Sequence, residues 1–244
     1  MSEKMSIRIL HLYPREMNLY GDHGNVLVLK KRMEWRGISV KIIDHEVGMG
    51  MPENVDIIFG GGGQDSGQIA IKDDLLKNAG KLKKMIEDGV PMLAICGIYQ
   101  LMGNFFRTSE GETLEGIKVF DIETTGGSER FIGNVVLESE RFDEVVGYEN
   151  HSGKTTLEAG MSAFGRVVKG AGNNGEDGSE GVFYKNCIGT YLHGPLLPKN
   201  PKLADFLIKT AVGRKYGAKA EKGLKSLDDA LEDLAHKSAV SRPR

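Results

Sequence analysis

Cysteine is scarce: the 244 residues contain two, Cys96 and Cys187. That excludes a disulfide framework and any repeat of paired metal-binding cysteines, and it fits a reducing, cytoplasmic setting. No apolar stretch reaches 18 residues and the N-terminus has no long apolar segment. A membrane-spanning helix and a standard export signal are therefore not expected. Charge of one sign is also missing. The 32 Lys and Arg against 34 Asp and Glu leave a formal net charge of −2, which excludes a general attraction to nucleic acid or anionic membrane. There is no GxxxxGK[ST] and no GxGxxG opening a helix, so neither a P-loop nor a dinucleotide fingerprint is present. No obvious carboxylate set for magnesium stands out, and no metal is expected in this chain.

Glycine, by contrast, is plentiful, with 33 residues concentrated in loops. Loops that bring backbone close to a ligand or a reacting atom need it. Ile7 to Leu12 reads as a short apolar strand, followed by an amphipathic helix from Asn25 to Trp35 that stops at Gly37. Val40 to Ile43 and Val55 to Phe59 are further strands, the second running into Gly60 to Gly63. A helix carrying Leu75, Leu76, Leu82 and Ile86 ends at Gly89, before an apolar strand from Val90 to Ile95. Strands separated by helices predict a parallel sheet with helices on its faces, and a site at the carboxyl ends of its strands. Segments 117–124, 131–138, 144–149, 164–169 and 181–191 are β-rich and punctuated by Gly, Asn, Asp and Ser, which suggests hairpins extending that one sheet. Lys202 to Val212 and Ser226 to His236 read as helices, and the basic tail from Lys237 to Arg244 as frayed.

Cys96 ends the Val90–Ile95 strand, Gly97 follows at once, and a short helical segment begins. Strand, nucleophile, glycine, helix is the layout of a nucleophile elbow. The helix start supplies unpaired N–H groups that favour a thiolate. An isolated cysteine is more often a buried apolar residue, and it is this context that favours the reactive reading. The N–H groups of Gly60 to Gly63, with that of Gly97, could form an oxyanion hole. They could instead cradle phosphate, and the motif alone leaves both open. His193, in Gly189-Thr190-Tyr191-Leu192-His193-Gly194-Pro195, also ends a β-like run and could serve as the base for Cys96. With six histidines in the chain, a hydrogen-bonded loop histidine is the plain alternative. Arg130, in Ser128-Glu129-Arg130-Phe131, could be surface charge or a bidentate grip for a carboxylate.

These stretches resemble the class I glutamine amidotransferases, in particular their cobyric-acid-synthase-like branch. The resemblance runs from the N-terminus to about residue 210. It is carried by Asn18-Leu19-Tyr20-Gly21-Asp22-His23-Gly24-Asn25, by Gly60 to Gly63 with Gln64-Asp65, and by Ile95-Cys96-Gly97-Ile98-Tyr99-Gln100. Val146-Gly147-Tyr148-Glu149-Asn150-His151, Gly172-Asn173-Asn174 and the Tyr191-Leu192-His193-Gly194-Pro195 run continue it. It implies an α/β fold of flavodoxin-like type, a central mostly parallel sheet flanked by helices with β-hairpin extensions. An amidotransferase domain would occupy residues 1–215, and a C-terminal helix and basic tail residues 216–244. It further implies that Cys96 attacks the side-chain amide of L-glutamine with help from His193. Gln100 and Arg130 would bind the substrate, with Gly61, Gly62 and Gly97 forming the oxyanion hole. Ammonia would pass to a Mur-ligase-like, ATP- and magnesium-dependent partner in a heterodimer, which amidates the D-glutamate α-carboxylate of lipid II. No cofactor is implied for this chain, which has nothing to activate a carboxylate.

The sequence departs from the class I pattern at two positions. Pro195 stands where many members carry a glutamate two residues after the histidine, which predicts a Cys–His dyad in place of a triad. Ile98 replaces a usual glycine, so the turn must keep it helical. Two other readings have distinct signatures. A different synthetase partner, such as a cobyrinate-type amidase, would show in the neighbouring genes. A DJ-1/PfpI-like cysteine hydrolase would place its histidine close after the elbow, where the first one downstream is His151. A binding module that only keeps the fold would have no need of both Cys96 and His193.

Overall fold

The computed structural model describes residues 5–243. The first half alternates strands and helices: β1 (Ser6–Leu12), α1 (His23–Glu34), β2 (Ser39–His45), β3 (Ile57–Gly60), α2 (Asp65–Glu87), β4 (Met92–Ile95) and α3 (Gly97–Leu101). The second half is strand-rich: β5 (Phe105–Arg107), β6 (Thr113–Glu115), β7 (Ile122–Ser139), β8 (Asp143–Leu157), β9 (Gly165–Lys169), β10 (Ser179–Glu180), β11 (Val182–Tyr184) and β12 (Cys187–Thr190). It closes with α4 (Pro201–Tyr216), α5 (Ala218–Lys222) and α6 (Ala230–Ser241).

One sheet has the order β2-β1-β3-β4-β12-β11. All its pairings are parallel except β11 with β12. Its inner strands are apolar on both faces because helices cover both: all four residues of β3 and all four of β4 are buried. The covering helices bury one stripe each, Val26, Leu29 and Met33 on α1 and Ile71, Leu75, Leu82 and Ile86 on α2. The strand order reverses between β1 and β3, and the crevice at such a reversal is where open α/β sheets place their ligands.

The β-rich segments do not extend that sheet as expected. Only β11 and β12 join it; the rest form a second sheet in the order β10-β9-β7-β5-β6, with β8 paired to β7. Segment 131–138 lies within one long strand, β7, which takes only residues 122–124 of segment 117–124, the rest being irregular, and pairs antiparallel with β8 across a bulge between Gly126 and Phe131. Alternating hydrophobicity marks a strand, but it carries no record of which sheet the strand joins. A backbone bridge ties β8 to the residues after β12, where His193 N–H donates to Tyr148 O at 2.8 Å and Tyr148 N–H to His193 O at 3.3 Å.

The tail is more ordered than its composition suggests. Helix α6 runs to Ser241, so residues 237–241 are helical rather than frayed; Arg244 lies outside the described residues. His236 Nδ1–H donates to Lys199 O at 2.7 Å, and Asn134 Nδ2–H donates to Pro243 O at 2.6 Å. Buried Arg32 of α1 reaches Asp205 on α4 at 2.8 Å and Asp229, just before α6, at 2.6 Å. These contacts fasten the C-terminal segment to both halves, to α1 and α4 beside the parallel sheet and to β7 of the second sheet. Among the described residues no helix is long and apolar enough to cross a membrane.

Candidate active site

Cys96 sits at the carboxyl end of β4 with φ 46° and ψ −103°, a left-handed conformation unusual for a residue with a side chain. Its N–H donates to Thr190 O at 2.8 Å, and its carbonyl accepts from Gln100 N–H at 2.9 Å, the first bond of α3. Strain of this kind persists only where surrounding contacts hold it. Ile98 lies within α3, helical as its β-branched side chain requires, and rests on Gly60: a Cβ there would come within 2.6 Å of Ile98 Cγ2. The elbow therefore tolerates Ile98 because the facing residue has no side chain.

His193 follows β12, the strand beside β4, so parallel pairing brings it to the same sheet end as Cys96. The two converge on Gly62, where a Cβ would lie 2.4 Å from His193 Cε1 and 3.2 Å from Cys96 Cβ. Cys96 is 8% exposed and His193 fully buried. Burial pulls the imidazole's pKa down, but the Cys96 charge and the hydrogen bond and charge of Asp22 outweigh it and push it up to about 10. His193 Nε2 has no hydrogen-bond partner among the described residues, so it is open to exchange a proton.

The structure revises the expected dyad. Fully buried Asp22 stands with its Oδ2 at 3.1 Å and Oδ1 at 3.2 Å from His193 Nδ1. A carboxylate on Nδ1 fixes that proton and directs Nε2 outward, the part played by the third residue of a triad. Asp22 comes from the loop after β1, one strand beyond β3, and a short turn over Leu19–Gly21 aims it inward, with Leu19 N–H on Gly62 O at 3.0 Å. Pro195 does empty the usual glutamate position, but a different loop fills the role. The one signal available was an acid in the Asn-Leu-Tyr-Gly-Asp stretch directly after a strand.

One of the expected oxyanion donors is already engaged. Gly62 N–H donates to Asp22 Oδ2 at 2.7 Å and is not free for substrate. Gly61 packs against backbone, where a Cβ would meet Met17 O at 2.3 Å. Gly97 opens α3 beside Cys96, and a Cβ on it would lie 3.0 Å from the nitrogen of Gly63, which lines the cavity. Gly63, next to the two glycines singled out, is the member of the run that faces the substrate space.

That cavity measures about 390 Å³ and is bounded by Tyr20, Gly63, Asp65, Cys96, Gln100 and Arg130, among others. Arg130 reaches it from the β7 bulge, its Nε donating to Asn150 Oδ1 at 2.6 Å. The Gln100 carboxamide is engaged internally: its Oε1 accepts from Gln68 Nε2 at 2.9 Å and its Nε2 donates to Tyr191 Oη at 3.1 Å. It shapes the cavity wall, with one lone pair of Oε1 left over. Tyr20 sets its ring edge-on to His193, centroids 4.9 Å apart. His151 lines the cavity too, but its ring lies flat on Tyr191 at 3.6 Å, Nδ1–H donates to Gly153 O, and burial pushes its pKa down to about 4. It stays neutral and pinned, unlike the base a DJ-1-like reading would need. Among the described residues no group of three or more His, Cys, Asp or Glu could hold a metal ion.

The profile of the CobB/CobQ-like glutamine amidotransferase domain matches residues 8–201. The chain is 40% identical to a Staphylococcus aureus protein named lipid II isoglutaminyl synthase (glutamine-hydrolyzing) subunit GatD, over 97% of this chain and 96% of that one. It is 42% identical to the Streptococcus pneumoniae protein of the same name, over 86% and 82% of the two chains. Among solved structures, a chain of PurLQS from Thermotoga maritima superposes with a TM-score of 0.56 at 16% identity, over 84% of this chain and 98% of that one. That likeness speaks to the fold alone.

Proposed function

The chain belongs to the CobB/CobQ-like glutamine amidotransferase family, and from that premise we propose that it is a glutaminase subunit supplying ammonia for amidation of lipid II. The observation that carries the reading is the convergence of Asp22, His193 and Cys96 at one end of the parallel sheet, beside a cavity that Cys96 and Arg130 line. Arg130 holds the α-carboxylate of L-glutamine and points the side-chain amide at Cys96. Cys96 Sγ adds to the amide carbon, its proton residing on His193 Nε2, and the oxygen that becomes negative is met by the N–H groups of Gly97 and Gly63. His193 then gives its proton to the departing nitrogen. The C–N bond breaks, ammonia leaves, and a glutamyl thioester remains on Cys96. Water adds to the thioester as His193 takes its proton, and glutamate is released with the thiol restored.

Hydrolysis of this kind needs neither ATP nor metal, whereas amidation of a carboxylate requires its activation. The acceptor half-reaction therefore belongs to a partner. The near full-length similarity to two subunits named for lipid II isoglutaminyl synthase supports a Mur-ligase-like one, which uses ATP and magnesium on the D-glutamate α-carboxylate. Two free cysteines support a cytoplasmic setting for the complex. The test is to co-purify the chain with its synthetase and measure glutamate and ammonia from glutamine, then ATP-dependent amidation of lipid II. Wild type should do both and Cys96→Ala neither with glutamine, while amidation from added ammonium salt survives the substitution. A complex that releases no ammonia from glutamine refutes the glutaminase reading. One that releases ammonia but amidates a different acceptor refutes only the lipid II assignment.

A further inference from the structure

Two charged side chains on the cavity have no oppositely charged partner among the described residues. One is Arg130, whose guanidinium is braced by Asn150 through Nε and Nη2 without being neutralised. The other is Asp65, exposed in the first turn of α2, whose carboxylate caps nothing and pairs with nothing. The other cavity-lining polar groups named above are uncharged or occupied: Gln100 and Gln68 bond each other, and His151 is neutral. Asp65 is the one carboxylate among the residues that line the cavity, and Arg130 the one permanent cation.

A free amino acid carries an ammonium and a carboxylate on one carbon. A cavity with a single cation would bind the carboxylate, yet repel the ammonium beside it. We infer that Asp65 binds the α-ammonium of the substrate, forming with Arg130 a clamp for a free zwitterionic amino acid at the mouth of the Cys96 cavity. The clamp rests on the glutaminase reading and adds a substrate requirement: glutamine is taken as the free amino acid, and glutamine acylated on its α-nitrogen, as within a peptide, is rejected. Asp65 is a binding residue that leaves the reacting atoms to Cys96 and His193, so its loss acts on KM.

The experiment compares L-glutamine with glutaric acid monoamide (glutaramic acid), which keeps the carboxylate and the amide but lacks the α-ammonium. Both are assayed on the full chain co-expressed with its partner subunit. Wild type should favour L-glutamine by roughly 10- to 100-fold in kcat/KM, the scale of a hydrogen bond between charged groups. Asp65→Asn should lose that factor on L-glutamine, through KM, while turning over the analogue within about threefold of wild type, so that the preference collapses. Asp65→Ser, which suits a helix start, should do the same. Parallel losses on both substrates would mark Asp65 as merely structural and overturn the clamp, as would a preference that persists in both variants. If the wild-type complex hydrolyses neither substrate, the glutaminase reading itself fails and the clamp falls with it.

Discussion

The Asp22 carboxylate holds two groups at once: the Gly62 N–H at 2.7 Å and His193 Nδ1 at 3.1 Å, both on Oδ2. One oxygen thus ties the glycine run after β3 to the histidine after β12, with Cys96 between them at the end of β4. The loop after β1 fixes the orientation of the imidazole and, through Gly62, the path of the glycine run beneath it.

Asp22→Asn should be inactive in a specific way. The amide oxygen can still accept from Gly62, but its NH₂ then faces Nδ1 and places the histidine proton on Nε2, the nitrogen that must be free to take one. In serine proteases the same exchange costs about 10⁴ in kcat, and here kcat for glutamine hydrolysis should fall by roughly 10²- to 10⁴-fold with KM within a few fold. A variant with more than a tenth of wild-type kcat would remove Asp22 from the catalytic set.

Gly62→Ala tests the space between the same residues. A methyl group there would lie 2.4 Å from His193 Cε1, closer than side chains tolerate, and 3.2 Å from Cys96 Cβ. The imidazole must move, and a displacement near 1 Å at reacting groups costs on the order of 100-fold. Steady-state hydrolysis should show that loss in kcat, whereas Gly50→Ala, with nothing within 4 Å, should match wild type.

Stability should fall as pH rises through the alkaline range. The folded-state pKa of His193 is raised to about 10, above its ordinary value near 6.5. The folded chain therefore keeps a proton that the unfolded chain gives up. The stabilisation is fully present below about pH 6.5 and is lost progressively up to about pH 10, at no more than about 1.4 kcal/mol per pH unit. Urea midpoints between pH 6.5 and 10 should decline less steeply for His193→Gln than for wild type, and equal slopes would count against the charged imidazole.

Glu180 is fully buried beneath the histidine strand, where its Oε1 accepts from Thr190 Oγ1 and, at 2.8 Å, from Tyr191 N–H. Burial pushes its carboxyl up to about 7. Glu180→Ala would leave two buried donors without an acceptor, at about 1–3 kcal/mol each. Thermal unfolding should drop by roughly 4–24 °C on a loss of about 2–6 kcal/mol, and a shift below about 2 °C would mean the donors find other partners.

Cys96 and His193 stood out in the sequence because each ends an apolar run and is followed by glycine. A strand that delivers a side chain to the sheet edge leaves that local trace. Arg130 was visible only with the help of the family pattern, since nothing in Ser128-Glu129-Arg130-Phe131 reveals a bulge between Gly126 and Phe131. Asp22 was invisible as a catalytic partner: it lies 171 positions from His193, and Pro195 pointed to its absence. Gly62 looked like an oxyanion donor because a glycine run does not show which of its N–H groups is already taken.

Local chemistry in the chain determined the alternation of strands and helices, the elbow at Cys96, the histidine at the end of β12 and the family they belong to. These follow from periodicity and from glycine at the turns, which act over a few residues. Tertiary structure decided the rest: that the later strands build a second sheet, that Tyr148 of that sheet clasps the backbone of His193, and that Asp22 meets His193 Nδ1 across the reversal between β1 and β3. Each of these depends on which strand ends become neighbours, and strand order is set by packing over the whole chain.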